Sequence, residues 1–207
     1  MKHLLLSVFL ISALFLSLSA RADTPSFTYV GLEYVASGSL EVSDDTTSVD
    51  LNLDGFALTG SVELGIFFLQ ASRFELESDE IFGGNIEDNI SSLAFGLTFE
   101  LPQTQVYALI RGRRDELSLR AGGFEEDEDL HYVGAEAGAR INLTDRFEIN
   151  AHVGKPDADE GSTYGVGAQF FVTDNLGITL DLRRLEAEED GIEGSFDTTS
   201  IGVRFSF

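Results

Sequence analysis

Three histidines, 13 lysines and arginines and 36 aspartates and glutamates are the residues of this 207-residue chain that could do chemistry; cysteine is absent. Two of the histidines have suggestive neighbours. His131 follows the run Glu125-Glu126-Asp127-Glu128-Asp129, and His152 comes shortly after Glu148 and Asn150. An imidazole beside a carboxylate is the base and orienter of many hydrolases, so His131 with Asp129, Asp127 or Asp115 is a candidate site. The plainer reading carries more weight. In a chain this acidic an aspartate near a histidine is expected by chance, and the serines are scattered, none in a motif with a histidine. Without a nucleophile, base and orienter in one constellation, no enzyme is expected.

Clustered carboxylates could also hold Ca²⁺ or Mg²⁺, which take oxygen ligands. No segment follows the D-x-D-x-D-G spacing of a calcium loop. The acidic runs therefore read as solvated surface. Diffuse association of Ca²⁺ or Mg²⁺ with them is expected, and no dedicated metal or other cofactor. Lys2 and Arg21 are the only charged residues before Asp23, so from Asp23 onward 11 basic residues face 36 acidic ones, a formal charge of −25. Nucleic acid, which is bound through Lys and Arg, is excluded as a partner.

The elements that must position these groups announce themselves by period. From Asp23 onward apolar and polar residues alternate almost throughout, which is the signal of strands with unlike faces. Leu93, Phe95, Leu97, Phe99 and Leu101 alternate with Ser92, Ala94, Gly96, Thr98 and Glu100; Ile201, Val203, Phe205 and Phe207 alternate with Ser200, Gly202, Arg204 and Ser206. Ten such segments occur, over roughly 27–36, 49–62, 66–77, 89–101, 104–115, 131–143, 146–155, 162–172, 176–187 and 195–207. The facing of 66–77 and 104–115 stays open, and eight strands is the second choice if one of them is miscounted. Short turns fall at Glu63-Leu64-Gly65, Pro102-Gln103, Thr144-Asp145 and Thr173-Asp174-Asn175; longer acidic links fall at about 37–48, 78–88, 116–130, 156–161 and 188–194.

The start of the chain supplies the compartment. Met1-Lys2-His3 is a basic start, Leu4 to Leu18 an apolar run, and Ala20-Arg21-Ala22 a small-residue cleavage region. This layout predicts a signal peptide over 1–22 and a mature domain over 23–207. The apolar run falls short of the roughly 20 residues of a spanning helix, and no later run approaches that length. An exported chain of strands that crosses a bilayer must close into a barrel, because lipid leaves no partner for unpaired backbone groups. Short turns at one end, long polar links at the other and an even strand number have the asymmetry of such a barrel. A soluble sandwich would expose a mostly charged face, whereas the polar face here is rich in glycine and small residues.

Barrel closure turns the polar face inward. The expected lumen residues include Glu33, Glu100, Arg111, Arg113, Glu136, Arg140, Glu148, Asp181, Arg183 and Arg204. Unpaired they would cost several kcal/mol each, so pairing is expected. Strand direction sorts them into two clusters: Arg111 and Arg113 with Glu33 or Glu136 toward the outer end, and Glu100, Arg140, Glu148 and Arg204 toward the periplasmic end. A tube of about ten strands is narrow enough for side chains to fill, so transport of large solutes is not expected.

The closing segment Ile201-Gly-Val-Arg-Phe-Ser-Phe207 resembles the terminal strand of bacterial outer-membrane proteins, and Thr173-Asp-Asn-Leu-Gly and Leu143-Thr-Asp-Arg-Phe resemble the periplasmic turns of small porin-like barrels. This family resemblance covers the mature chain. It implies an all-β, antiparallel, up-and-down transmembrane barrel in the Gram-negative outer membrane, with Phe205 and Phe207 read by the assembly machinery as a signal. It also implies outer-membrane lipid and lipopolysaccharide as surroundings, and says little of activity or ligand. The reading is a structural, surface-interaction or narrow porin-like role. A histidine and aspartate at the rim of a ten-stranded barrel also resembles the omptin proteases, which implies the alternative of a rim-active hydrolase using His131.

Overall fold

The computed structural model describes residues 27–43, 48–78, 84–121, 124–156, 161–189 and 192–207; the expected signal peptide lies outside them. The described chain is all strand: β1 (Tyr29–Ser43), β2 (Ser48–Leu64), β3 (Phe67–Ser78), β4 (Gly84–Leu101), β5 (Thr104–Ala121), β6 (Phe124–Thr144), β7 (Phe147–Lys155), β8 (Ser162–Phe171), β9 (Leu176–Glu189) and β10 (Ile192–Ser206). Each pairs antiparallel with its chain neighbours, and β1 pairs with β10 to close the barrel. The ten strands are those that the alternation predicts, and the start of β1 and the end of β10 lie at the end with the short turns.

Those turns suit their residues. Gly65 takes a φ of 70° between β2 and β3, and Gln103 takes 62° after Pro102. A proline followed by a residue with positive φ is the requirement of a type II turn. Between β8 and β9 the Thr173 hydroxyl accepts the Leu176 N–H at 3.0 Å, and the Asn175 amide donates to the Ser206 carbonyl at 2.7 Å.

At the opposite end the strands outrun the sequence reading. The links expected at 37–48, 78–88 and 116–130 are largely ladder: β1 runs to Ser43, β4 begins at Gly84, and β5 and β6 extend to Ala121 and from Phe124. The acidic run 125–129 is thus strand, not loosely ordered loop. Period two is visible only where the two faces meet different media. Past the lipid both faces are polar, the alternation fades, and pairing persists on cross-strand contacts. Ser118 donates to Asp127 at 2.8 Å, Arg120 to Glu87 at 3.1 Å and Asn85 to Glu77 at 3.1 Å. At the short-turn end Glu63 and Leu64 belong to β2, so the first turn starts at Gly65.

The model also settles the two open facings. Phe67, Leu69 and Ala71 point out and Phe68, Gln70 and Ser72 point in, while β5 turns Gln105, Tyr107, Leu109, Arg111 and Arg113 inward. The outer surface is an apolar belt, including Leu93, Phe95 and Phe99 on β4 and Leu176, Ile178, Leu180 and Leu182 on β9. Inside, the wall is divided. Phe27, Phe68, Ala94 and Leu109 form one apolar cluster, and Val35, Leu53, Leu76 and Ile90 a second, all from the segment before β1 or from β1–β5. Phe68 is fully buried because Gly96 leaves its ring room: a Cβ there would meet the Phe68 ring and the Ala108 carbonyl. The opposite wall, from β6 to β10, carries Arg140, Glu148, His152, Gln169, Thr179 and Ser200 as its buried polar residues.

Phe207 lies at the closing seam, its N–H donating to the Thr28 carbonyl at 3.1 Å and its ring edge-on to Phe205 at 4.8 Å. Aromatic side chains at this rim form the girdle of membrane barrels. Deleting Phe207 is expected to lower the amount of heat-modifiable barrel recovered from membranes; unchanged recovery would contradict that role.

Candidate functional site

The short-turn end of the lumen is shut by the residue that precedes β1. Phe27 turns inward, stacks on Phe68 with ring centroids 4.1 Å apart, and meets Tyr107 edge-on at 5.1 Å. Glu63 fixes it there. Its carboxylate accepts the Phe27 N–H at 3.0 Å, the Thr98 hydroxyl at 3.0 Å and the Gln105 amide at 3.1 Å. The Glu63 N–H in turn donates to the Thr28 hydroxyl at 3.0 Å. The sequence reading placed Glu63 in a turn and missed it. The available signal was parity, since Glu63 continues the inward set Ala57, Thr59 and Ser61.

Beside this clamp stands the most deeply buried ion pair among the described residues. Arg140 on β6 donates from Nε and Nη2 to the two carboxylate oxygens of Glu148 on β7, both at 2.9 Å, with side chains 5% and 1% exposed. Two parallel charge-assisted bonds from a planar guanidinium fix geometry as well as energy. The Arg140 guanidinium also lies 5.0 Å over the Phe27 ring. Arg204 adds a second cation, 3.9 Å from Glu148 and 3.6 Å over the Tyr29 ring. Of the four residues expected here, Arg140, Glu148 and Arg204 meet. Glu100 does not: it stands exposed in the last row of β4, beyond Thr98, and makes no ion pair among the described residues.

The outer expected cluster divides. Arg111 lies 3.6 Å from Glu136 and donates to the Gln70 carbonyl oxygen at 3.1 Å. Tyr107 donates to Glu136 at 3.0 Å, and Gln70 to the Tyr29 hydroxyl at 2.6 Å. Arg113 instead pairs along its own strand with Asp115 at 2.5 Å. Glu33 accepts from Ser200 at 3.0 Å, and Asp181 from Asn150 at 3.5 Å. The tyrosines and glutamines of this network carry no charge, so a search for inward charges passes over them. Above the floor the side chains enclose a cavity of about 230 Å³.

His131 faces outward, 69% exposed, with Nε2 3.5 Å from Asp129. Asp129 is already engaged: Arg114 donates to it from Nε at 2.9 Å and Nη2 at 2.7 Å. That guanidinium holds the Asp129 carboxyl below the usual carboxylate range. Asp115, the third carboxylate considered for His131, is buried inside against Arg113. Among the described residues no group of three His, Asp or Glu side chains is arranged to hold a metal ion.

Comparison with known proteins follows the geometry. A family model described as "Outer membrane protein beta-barrel domain" matches residues 7–207. Among solved structures, the outer membrane protease OmpT from Escherichia coli superposes with a TM-score of 0.55 at 11% identity, over 90% of this chain and 100% of that one. The translocator domain of the autotransporter NalP from Neisseria meningitidis gives 0.53 at 12%, over 99% and 96%. Neisserial surface protein A gives 0.49 at 12%, over 88% and 98%. No curated protein matches the sequence. At such identities the likeness concerns the fold.

The clamp has a measurable consequence. Hydrogen bonds to charged groups contribute roughly 1.5–3 kcal/mol each. Replacing Glu63 with Ala removes three and is expected to lower the unfolding free energy of the lipid-reconstituted barrel by about 4 kcal/mol or more, with Thr98→Val showing a smaller loss. A Glu63→Ala barrel as stable as the parent would contradict the clamp.

Proposed function

Because the chain belongs to the outer membrane protein β-barrel domain family, and is an integral protein of the bacterial outer membrane, we propose that it works as a non-enzymatic barrel with a closed periplasmic floor, acting through its outer face rather than as an open pore. The observation that carries this reading is the floor itself. Arg140 and Glu148 are joined by two bonds of 2.9 Å, and Phe27 is stacked on Phe68 and clamped by Glu63. Ions crossing the lumen would have to part these groups, and a buried ion pair that loses a partner costs about 3–5 kcal/mol.

The outward face supports the second half. The hairpins beyond the belt pair acids with a few arginines, among them Arg114 with Asp129 and Glu116 and Arg184 with Glu186 and Asp197. Carboxylates in excess over cations attract Ca²⁺ or Mg²⁺ diffusely, and these ions link the hairpins to the phosphates of lipopolysaccharide around them. A surface role in adhesion to, or organisation of, that leaflet follows from this chemistry.

Hydrolysis at the rim is the weaker reading. His131 has its candidate orienter, Asp129, occupied by Arg114, and the likeness to OmpT extends to the fold alone. The test of the floor is electrical. In planar bilayers the parent barrel is expected to be nearly silent, and Arg140→Ala to show discrete conducting steps. An open parent pore, or an Arg140→Ala barrel as silent as the parent, would overturn the closed-floor reading.

A further inference from the structure

The cavity above the floor is built unlike the rest of the molecule. In a chain with 13 basic residues and 36 acidic ones, six of the basic residues line this space against three of the acidic. Three of those cations are spent on carboxylates outside the lining, Arg140 and Arg204 on Glu148 and Arg113 on Asp115. Arg111 is spent on Glu136 and Gln70. Arg183 is different. It lines the cavity deep in the lumen and, like the exposed Lys155, makes no hydrogen bond or ion pair within 4.0 Å among the described residues, feeling Glu33, Glu136 and Asp181 only at longer range.

Three further polar side chains line the same space while their polar atoms, packed into the wall, have no partners. His152 Nε2, both side-chain amide atoms of Gln169 and the Thr179 hydroxyl are buried and lack hydrogen bonds; Gln169 is 2% exposed, Thr179 6% and His152 8%. Strand register groups them on one wall. Gly165 of β8 lies between His152 of β7 and Arg183 of β9, and Gln169 of β8 is directly opposite Thr179 of β9. The absence of a side chain at Gly165 is what lets the imidazole lie across β8, since a Cβ there would stand 2.7 Å from Nε2. Buried polar atoms left unpaired cost about 1–3 kcal/mol each, so a turn of these side chains toward a polar occupant would be favoured. The facing wall carries Val35, Leu76 and Ile90, with Phe196 of β10 packed against that cluster.

We propose that this cavity binds a small amphipathic carboxylate, its head on Arg183 and His152 and its hydrocarbon part against Val35, Leu76, Ile90 and Phe196. The sign follows from Arg183, which no carboxylate oxygen approaches within 4.0 Å among the described residues and whose planar fork matches a carboxylate. The size follows from the volume of about 230 Å³, below the roughly 300–1,000 Å³ of drug-sized pockets. The floor closes the short-turn end, so the occupant enters from the hairpin side. The acidic hairpins there repel polyanions and leave a monoanion of modest size as the fitting class. Binding does not depend on whether the floor conducts, so this inference and the closed-floor reading fail separately.

The test is ligand-observed NMR on the full barrel in lipid nanodiscs, with benzoate, phenylacetate and hexanoate as probes, benzylammonium as the cationic control and empty nanodiscs as blank. Saturable binding of at least one carboxylate and none of benzylammonium is expected. Arg183→Gln should weaken that carboxylate at least tenfold, and Ile90→Trp, which fills the apolar wall, should abolish it. Gel mobility before and after heating verifies that each variant is a closed barrel, and either variant that closes suffices for the comparison. No saturable binding of any carboxylate, preference for benzylammonium, or unchanged affinity in a closed variant would overturn the proposal.

Discussion

Arg140 and Glu148 meet where the barrel can shield them from lipid and water at once, and much of the interior is arranged around that meeting. A guanidinium turned outward near the bilayer midplane would cost roughly 2–4 kcal/mol, and a lone carboxylate buried within would cost several. Period two leaves no middle course, since a register slip of one residue exchanges whole faces. The pair therefore ties the facing of β6 and β7 to their register. Phe27 lies under the Arg140 guanidinium, and Glu63 holds Phe27. The periplasmic floor is thus one connected structure, built from β2, β4, β5, β6 and β7 together with the segment before β1.

The division of the wall follows from the same economy of space. A tube of ten strands has a narrow interior that side chains can fill. One half is filled as a soluble core would be, by two apolar clusters that include Phe68, Leu109, Val35 and Leu76. The other half holds groups that need partners, and towards the floor they find them, as Arg140 does with Glu148. Higher up the partners run out at His152 and Arg183, and there the lumen opens into its cavity. Packing and unsatisfied polarity thus point to the same region by independent routes.

The barrel was legible because lipid makes alternation strict: Leu93 to Leu101 and Ile201 to Phe207 carry an apolar residue at every second place. The limits of legibility have the same cause. Beyond the belt both faces of β5 and β6 are polar, so the hairpins read as loops although their ladders continue to Ala121 and from Phe124. Inward charges could be assigned from parity, and three of the periplasmic set come together. Partners fixed by side-chain length and rotamer, such as Arg113 with Asp115 on its own strand, cannot be read from parity. Glu63 and Phe27 were hidden for another reason. Glu63 reads as part of a turn and Phe27 opens the first segment, although parity with Ser61 and with Glu33 places both inward.

The central claim is that Arg140 and Glu148 stabilise the barrel as a unit. A double-mutant cycle on unfolding free energy in lipid vesicles tests it most directly, using Arg140→Gln, Glu148→Gln and the double variant. Groups in direct contact couple by roughly 0.5–3 kcal/mol. For a buried, doubly hydrogen-bonded pair the account predicts about 2 kcal/mol or more, with the double variant losing markedly less than the sum of the single losses. Additive losses, with no coupling between the two sites, would contradict it.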